Sequence, residues 1–306
     1  ESRLQEQLVT MDFLATPWLG MPAWTWLAFV GAVLAILAFD LGVMHRDSRE
    51  IGVRDSLKMS ALYIGLGLVW AVAVYWIYRS HAGDGAIDPQ IAAAATPAER
   101  ARIAVELYLT GYLVEKTLAL DNVFIISMIF GFFAVPRAHQ HRVLFWGILG
   151  VIVLRALMIG LGAALVQEFA WVMWVFGALL LATGIKMLVM VDHQPDIASS
   201  PVLRFMRRHL RVTPGLHGER FVVRLPDPAT GRPLLWATPL LLCLVLVELA
   251  DLVFAIDSVP AIFAITPDAF IVYTSNIFAV LGLRALYFAL AAVVQDRKST
   301  RLNSIH

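Results

Sequence analysis

Two long apolar segments of this chain each carry a carboxylate near their centre. The first, TLALDNVFIIS, contains Asp121 and Asn122. The second, LVFAIDSVPAI, contains Asp257 and Ser258. A charged side chain at the centre of a membrane costs on the order of 2.5–3.5 kcal/mol on insertion scales, unless it is paired or neutralised. The chain must therefore fold so that these carboxylates meet a cation, an opposite charge or a proton.

The composition of the chain indicates that these segments lie in a membrane. Hydrophobic residues make up 59% of the 306 residues and charged residues only 15%, with a mean hydropathy of +0.75. These values are too apolar for a soluble domain of this size. Residues 21–39 and 59–78 contain no charged side chain, and each is long enough to cross about 30 Å of hydrocarbon as a helix. We therefore expect an all-α, polytopic helical membrane protein.

The apolar pattern predicts seven membrane spans. Their approximate ranges are 21–43, 57–78, 106–134, 143–166, 169–191, 235–263 and 270–294. Basic residues concentrate in the loops after the first, third and fifth spans, and the longest loop, 192–234, contains seven arginines. The positive-inside rule then places these loops in the cytoplasm and the N-terminus outside. We expect the arginine-rich loop to contact lipid head groups, and the sequence indicates no nucleic-acid partner.

Two pairs of spans repeat the same pattern. LVEKTLALDNV aligns with LADLVFAIDSV, which sets Glu115 opposite Asp251 and aligns the two central aspartates. In the next span of each pair, LRALMI carries Arg155 and LRALYF carries Arg284. Spans three and four therefore match spans six and seven. Because this shift of three spans is odd, the copies cross the membrane in opposite directions, and such inverted repeats hold their substrate sites at the repeat interface.

Several motifs of the chain resemble the TerC integral membrane family, named for tellurium resistance. EKTLALDNVFIISMIFGFFAVP and ELADLVFAIDSVPAIFAIT are similar to its two signature helix regions, and AFDLGVMHR is similar to its first helix. The resemblance runs from about Phe29 to Ala292. It implies a multi-pass protein of a bacterial-type inner membrane. Since family members are associated with divalent-metal export, chiefly of manganese, it also implies a metal exporter.

Both ends of the sequence are expected to be non-native. Residues 296–306 match, but for one residue, the translation of a sequencing adapter, and residues 1–10 precede a methionine that is typical of a natural start. We therefore expect a single membrane domain over 11–295. The resemblance further implies a native chain that continues with more apolar spans, so that the present sequence is truncated at its C-terminus.

The residue types inside the spans predict the kind of ion that is bound. All eight histidines fall in predicted loops or the tail, and Cys243 is the single cysteine, so no zinc or copper site is expected. Carboxylates beside amide and hydroxyl oxygens suit Mn²⁺, Mg²⁺ or Ca²⁺, and only the family resemblance favours Mn²⁺. The predicted metal ligands are Glu115, Asp121, Asn122, Glu248, Asp251, Asp257, Ser258 and Asp40, and Arg155 and Arg284 are the predicted charge-compensating residues.

Two other classes of function stay open at this point. An intramembrane aspartyl protease would use Asp121 and Asp257 as its catalytic dyad, but the flanks LALD and FAID lack the Gly-x-Gly-Asp context of such enzymes. A membrane scaffold would use the same charges only to assemble helices or to recruit partners through its long loop. We expect no enzymatic activity and no cofactor. Since the sequence contains no nucleotide-binding P-loop, transport would be either a secondary process, with a proton or another counter-ion, or channel-like flow.

Overall fold

The chain folds into long helices joined by loops and two small hairpins. The computed structural model describes residues 14–44, 53–80, 85–189, 197–227, 231–283 and 285–290. The helices are α1 (Ala23–Met44), α2 (Val53–Arg79), α3 (Pro89–Ala92), α4 (Pro97–Phe132), α5 (Arg137–Glu168), α6 (Val172–Val189), α7 (Pro201–His209), α8 (Pro239–Phe263) and α9 (Ala269–Leu281). The antiparallel hairpins pair β1 (Pro17–Trp18) with β2 (Met21–Pro22) and β3 (Val222–Pro226) with β4 (Pro233–Ala237).

Five of the described helical segments are long and apolar enough to cross a membrane. They are α1, α2, α5, α8 and the segment Ala269–Leu290, which begins with α9. The helix α6 is apolar but shorter. The 36-residue α4 corresponds to the predicted third span, although its apolar half carries Glu115, Lys116 and Asp121. The prediction of an all-α polytopic membrane protein is confirmed, and the long loop after α6 additionally folds into α7 and the β3–β4 hairpin.

Short polar motifs set the starts of several helices. The motif TPAE predicts a capping box at the start of α4, and the structure confirms the Thr96 cap, whereas Glu99 reaches the residue before it. Thr96 Oγ1 accepts a hydrogen bond from the Glu99 backbone N–H at 3.2 Å, and Glu99 Oε2 accepts one from the Ala95 N–H at 3.0 Å. Asp268 caps α9 in the same manner, by accepting from two backbone N–H groups. These caps satisfy backbone donors that the helices themselves leave unpaired.

The helix α9 forms the centre of the packing. Almost every residue of α9 is buried, and the helix contacts α2, α4 and α5. Aromatic rings join α1 and α2 to it: Trp26 packs edge-on against Phe270 with ring centroids 5.2 Å apart, and Trp70 stacks on Phe278 at 5.1 Å. The helix α8 packs against α4, α5 and α6. Helices α4, α5, α8 and α9 therefore surround a common interior.

The predicted inverted repeat relates α4 to α8 and α5 to α9. The members of each pair pack directly against each other. The repeat itself stays a prediction. Among its residues, Arg284 lies outside the part of the chain that the structure describes, as do the two suspected non-native stretches.

A glycine at the crossing of α5 and α8 provides a first test of this packing. A Cβ atom at Gly162 would lie 2.9 Å from Cε2 of Phe263, whose side chain is fully buried, whereas a Cβ at Gly177 of α6 would meet no atom within 4 Å. We expect Gly162→Ala to lower the apparent melting temperature in detergent, since overpacking costs about 1–3 kcal/mol. The matched control Gly177→Ala should melt at or above the wild type, because Ala favours a helix interior by roughly 0.5–1 kcal/mol. A Gly162→Ala variant as stable as this control would contradict the packing.

Candidate functional site

A buried arginine joins the four central helices. Arg155 of α5 is fully buried, and its guanidinium forms a bidentate pair with Asp251 of α8, with Nε 3.1 Å from Oδ2 and Nη2 2.9 Å from Oδ1. Its Nη1 donates to Oε1 of Glu115 on α4 and to Oδ1 of Asn276 on α9, the latter at 3.1 Å. One cation thus holds carboxylates from two predicted repeats.

Two buried amides complete this arrangement. Asn276 Nδ2 donates to Glu115 Oε2 at 3.0 Å, and Asn122 Nδ2 donates to Asp251 Oδ1 at 3.0 Å. Glu115 and Asn122 lie on the same face of α4 because seven residues make about two helical turns. We call these five side chains, Glu115, Asn122, Arg155, Asp251 and Asn276, the Arg155 network.

The Arg155 network contains more negative charge than positive charge. One guanidinium faces two carboxylates, so the ionised network has a formal net charge of −1. Burial of such groups is strongly unfavourable unless hydrogen bonds satisfy them, and the two amides supply part of that satisfaction. An additional cation next to the network would therefore neutralise it.

A small cavity borders the network between α4, α5 and α8. Its volume is about 30 Å³, and its polar lining consists of Asn122 and Asp251. This volume suffices for a water molecule or a single ion, since one water needs roughly 10–15 Å³ of such space. The Asn122 Oδ1 atom is buried and has no hydrogen-bond partner among the described residues. The cavity lining thus combines an amide side chain that has an unpaired oxygen with a carboxylate.

A third carboxylate packs near a glycine that lines this cavity. Glu248 precedes Asp251 by one turn of α8, and its carboxylate packs against Gly147 and Gly150 of α5. A side chain at Gly150 would overlap that carboxylate, and Gly147 itself lines the cavity. The Glu248 Oε2 atom is also buried, and no residue within the described ranges forms a hydrogen bond with it. The small residues of α5 therefore leave room for an acidic group beside the network.

The structure separates the other predicted ligands from this network. Asp40 is buried and accepts a hydrogen bond from the Tyr63 hydroxyl at 2.8 Å. Asp257 accepts one from Thr183 of α6 at 2.9 Å. Ser258 is buried, and Asp121 lies on the exposed side of α4. Within the described ranges, no group of three or more His, Cys, Asp or Glu side chains is placed to hold a metal, so a site here needs amide oxygen as well.

Sequence reasoning did not identify Asn276 as a member of the network. The sequence feature that could have indicated it is an amide inside the apolar run FIVYTSNIFAV. Asn122 has a similar position inside the apolar part of α4. Lys116, the residue after Glu115, also turns inward, and its Nζ donates to the Ala279 carbonyl of α9 at 3.0 Å. Both residues tie α4 to α9 at the level of the network.

Comparisons with known proteins identify relatives over most of the chain. The model of the integral membrane protein TerC family matches residues 101–302. Proteins named putative membrane-bound redox modulator Alx are 42% identical. The one from Photorhabdus laumondii covers 88% of this chain and 78% of its own length, and the one from Escherichia coli K12 covers 93% and 81%. An uncharacterized membrane protein of Rickettsia felis is also 42% identical over 89% of this chain and 81% of its own length. No solved structure matches the chain significantly.

Proposed function

Because the chain belongs to the TerC family of integral membrane proteins, we propose that it exports divalent metal ions, chiefly Mn²⁺, across the inner membrane. The observation that carries this proposal is the cavity lined by Asp251 and by Asn122, whose Oδ1 has no hydrogen-bond partner among the described residues. Hard divalent cations prefer such oxygen ligands. The chain acts as a transporter and not as an enzyme in this proposal, and it uses no cofactor.

The hydrogen bonds of Asp251 leave room for an ion. A carboxylate has about four lone-pair positions, and Asp251 accepts three hydrogen bonds, two at Oδ1 and one at Oδ2. The amide oxygen of Asn122 has both of its positions open. An ion in the cavity would bind these oxygens, and the Glu248 carboxylate would lie about one helical turn before Asp251. Its charge would compensate the formal −1 of the Arg155 network.

Arg155 provides an internal positive charge for the carboxylates when no metal is bound. It keeps Glu115 and Asp251 in place, so that the site does not collapse or take up bulk cations without selection. A proton on Glu248 is the counter-ion candidate that fits best, because this carboxylate packs near Gly147 of the cavity lining and has an oxygen without a hydrogen-bond partner among the described residues. The alternative ligand set, predicted from the sequence, lies outside the Arg155 network and comprises Asp121, Asp257, Ser258 and Asp40.

The membrane orientation in this proposal follows the basic loops. The long loop with α7 and the β3–β4 hairpin lies in the cytoplasm, and the N-terminus lies outside. The arginines of α7 are exposed, and they bind lipid head groups at the cytoplasmic surface.

The names of the Alx relatives suggest a redox role for those proteins. This chain has one cysteine, Cys243, which is buried in α8, so it cannot form an intramolecular disulfide. The cavity next to the Arg155 network supports metal export better. A scaffold role is the main alternative, because the network by itself would also hold α4, α5, α8 and α9 together.

Ion flux into vesicles tests the proposed export. The purified chain is reconstituted into proteoliposomes that contain a divalent-metal indicator, and Mn²⁺, Mg²⁺, Ca²⁺ and Zn²⁺ are added in turn. We expect flux of Mn²⁺ above that of the other ions and above that of empty vesicles. The variant Gly177→Ala, which alters an open position of α6, serves as the matched control and should transport like the wild type. Absence of flux for every ion, from protein that is folded and inserted, would favour the scaffold.

A further inference from the structure

A second pair of buried carboxylates lies where α9 begins, far from the cavity along that helix. Asp88, which precedes α3, and Asp268, which precedes α9, are each only 1% exposed. Thr266 connects them: its hydroxyl donates to Asp88 Oδ2 at 2.7 Å and accepts from the Asp268 backbone N–H at 3.1 Å. Both carboxylates lie outside the apolar spans and join the loop before α3 to the loop after α8.

The two oxygens of Asp268 have very different surroundings. Its Oδ1 accepts hydrogen bonds from the Tyr78 hydroxyl at 2.8 Å and from the backbone N–H groups of Phe270 and Ile271 at 3.1 and 3.3 Å. Its Oδ2 is buried and has no hydrogen-bond partner in the part of the chain that the structure describes. A bare oxygen on a buried charged carboxylate is strongly unfavourable. A proton on Oδ2 removes the negative charge, which is the larger part of this penalty, and leaves all three bonds to Oδ1 intact.

The groups around Asp268 favour its protonated form. Burial, together with the nearby Asp88 carboxylate, raises the pKa of Asp268 to about 6, against the opposing hydrogen bonds from Tyr78 and two backbone N–H groups. The titratable groups that face Asp268 are Tyr78 from α2 and Asp88 from the segment before α3. From α4, Arg100 donates to the backbone carbonyls of Tyr78 and Ser80.

We propose that Asp268 and Asp88 form a proton-binding site, in which one proton bound at Asp268 Oδ2 stabilises the junction of α2, α3 and α9. When the carboxylic acid dissociates, its proton passes to water and two buried carboxylates face each other. The junction is then weakened. Asn276 of the Arg155 network lies eight residues further along α9, a rise of about 12 Å. The proton site therefore stabilises the start of the same helix that contributes Asn276 to the network. The proton site does not depend on metal export.

The pH dependence of thermal unfolding tests this site. A carboxyl group whose pKa is raised in the folded state stabilises it fully only below the unfolded pKa of about 3.9, and this contribution is lost as the pH rises through the folded value. We expect the apparent melting temperature in detergent to fall by about 5 °C between roughly pH 4.5 and pH 7.5. The variant Asp268→Asn should remove this fall, because the amide keeps the acceptor oxygen and carries hydrogen where the proton was. The matched control Asp55→Asn changes an exposed aspartate and should keep the fall.

Two further measurements distinguish a bound proton from a bound metal cation. Asp88→Asn removes the facing charge and should move the midpoint of the fall to lower pH. Replacing choline chloride by sodium chloride at about pH 7.5 should leave the melting temperature unchanged, whereas restored stability would mean that a metal cation occupies the site. An Asp268→Asn variant with the wild-type pH dependence, or an unmoved midpoint in Asp88→Asn, would overturn the proposal. If either variant fails to accumulate, the infrared C=O band of a carboxylic acid in the wild type should disappear near pH 6, and its absence at acidic pH would contradict the site.

Discussion

Arg155→Leu is expected to remove most of the protein from the membrane fraction. The substitution leaves Glu115 and Asp251 buried, negatively charged and without their shared cation. Loss of one partner from a buried ion pair costs about 3–5 kcal/mol, and here two carboxylates lose theirs at once. Quantitative immunoblotting of membranes, together with the melting temperature of any protein that can be purified, measures the effect.

Matched variants separate loss of this charge from loss of an arginine in general. Arg102→Leu removes an arginine of α4 whose partner Glu106 is 3.7 Å away on the exposed surface, and surface pairs of this kind contribute little. It should leave the amount of protein unchanged. Neutralising both acids in the triple variant Arg155→Leu, Glu115→Gln, Asp251→Asn should restore part of the lost abundance. Wild-type abundance and melting temperature in Arg155→Leu alone would show that the network does not hold the helices together.

Asn122→Leu is expected to reduce Mn²⁺ flux by at least about tenfold while most of the protein stays folded. Leucine has the same branching and the same number of side-chain heavy atoms as asparagine, but it removes the unpaired amide oxygen of a residue that lines the cavity. The substitution also removes one hydrogen bond to Asp251, which costs about 1–2 kcal/mol. Asp251 keeps its bidentate pair with Arg155, so we expect the helices to stay assembled. The flux is measured in proteoliposomes that contain equal amounts of inserted protein.

The neighbouring variant Asp121→Asn tests the sequence-based site against the structural one. Asp121 lies on the exposed side of α4, next to the inward-facing Asn122. If the cavity binds the ion, Asp121→Asn should transport well and Asn122→Leu poorly. The reverse result would support Asp121 and its repeat partner Asp257 as the ligands and would refute the cavity. Normal flux in both variants would contradict both the cavity and the sequence-based site.

Much of the site was predictable from the sequence, for reasons of helix geometry and charge. The spacing of Glu115 and Asn122 puts them on one face of a helix whatever surrounds it. An arginine in an apolar span must find carboxylates, and Arg155 was expected to compensate acidic residues. The structure places it against Glu115 and Asp251. The sequence did not indicate which acids it would choose among the six in the predicted spans, and it did not single out Asn276.

Asp121 and its neighbour Asn122 show why the sequence does not indicate which side chains face the interior. Soluble helices have one apolar face, which identifies the buried side. In a membrane, lipid is as apolar as the protein interior, so both sides of a helix are apolar in sequence. Nothing in TLALDNVFIIS therefore distinguishes the inward side chain of Asn122 from the outward side chain of Asp121.

The sequence by itself determined the membrane class, the helices, the capping box of α4 and the need to neutralise buried charge. These depend on composition, helical period and the chemistry of neighbouring residues. Only the tertiary structure decided the rotation of each helix about its axis, and with it the meeting of Arg155 with Glu115 and Asp251 and the position of the cavity beside Asn122. The physical reason is that helix rotation is set by packing between side chains distant in sequence, such as the contact of Phe263 with Gly162, and not by local preference.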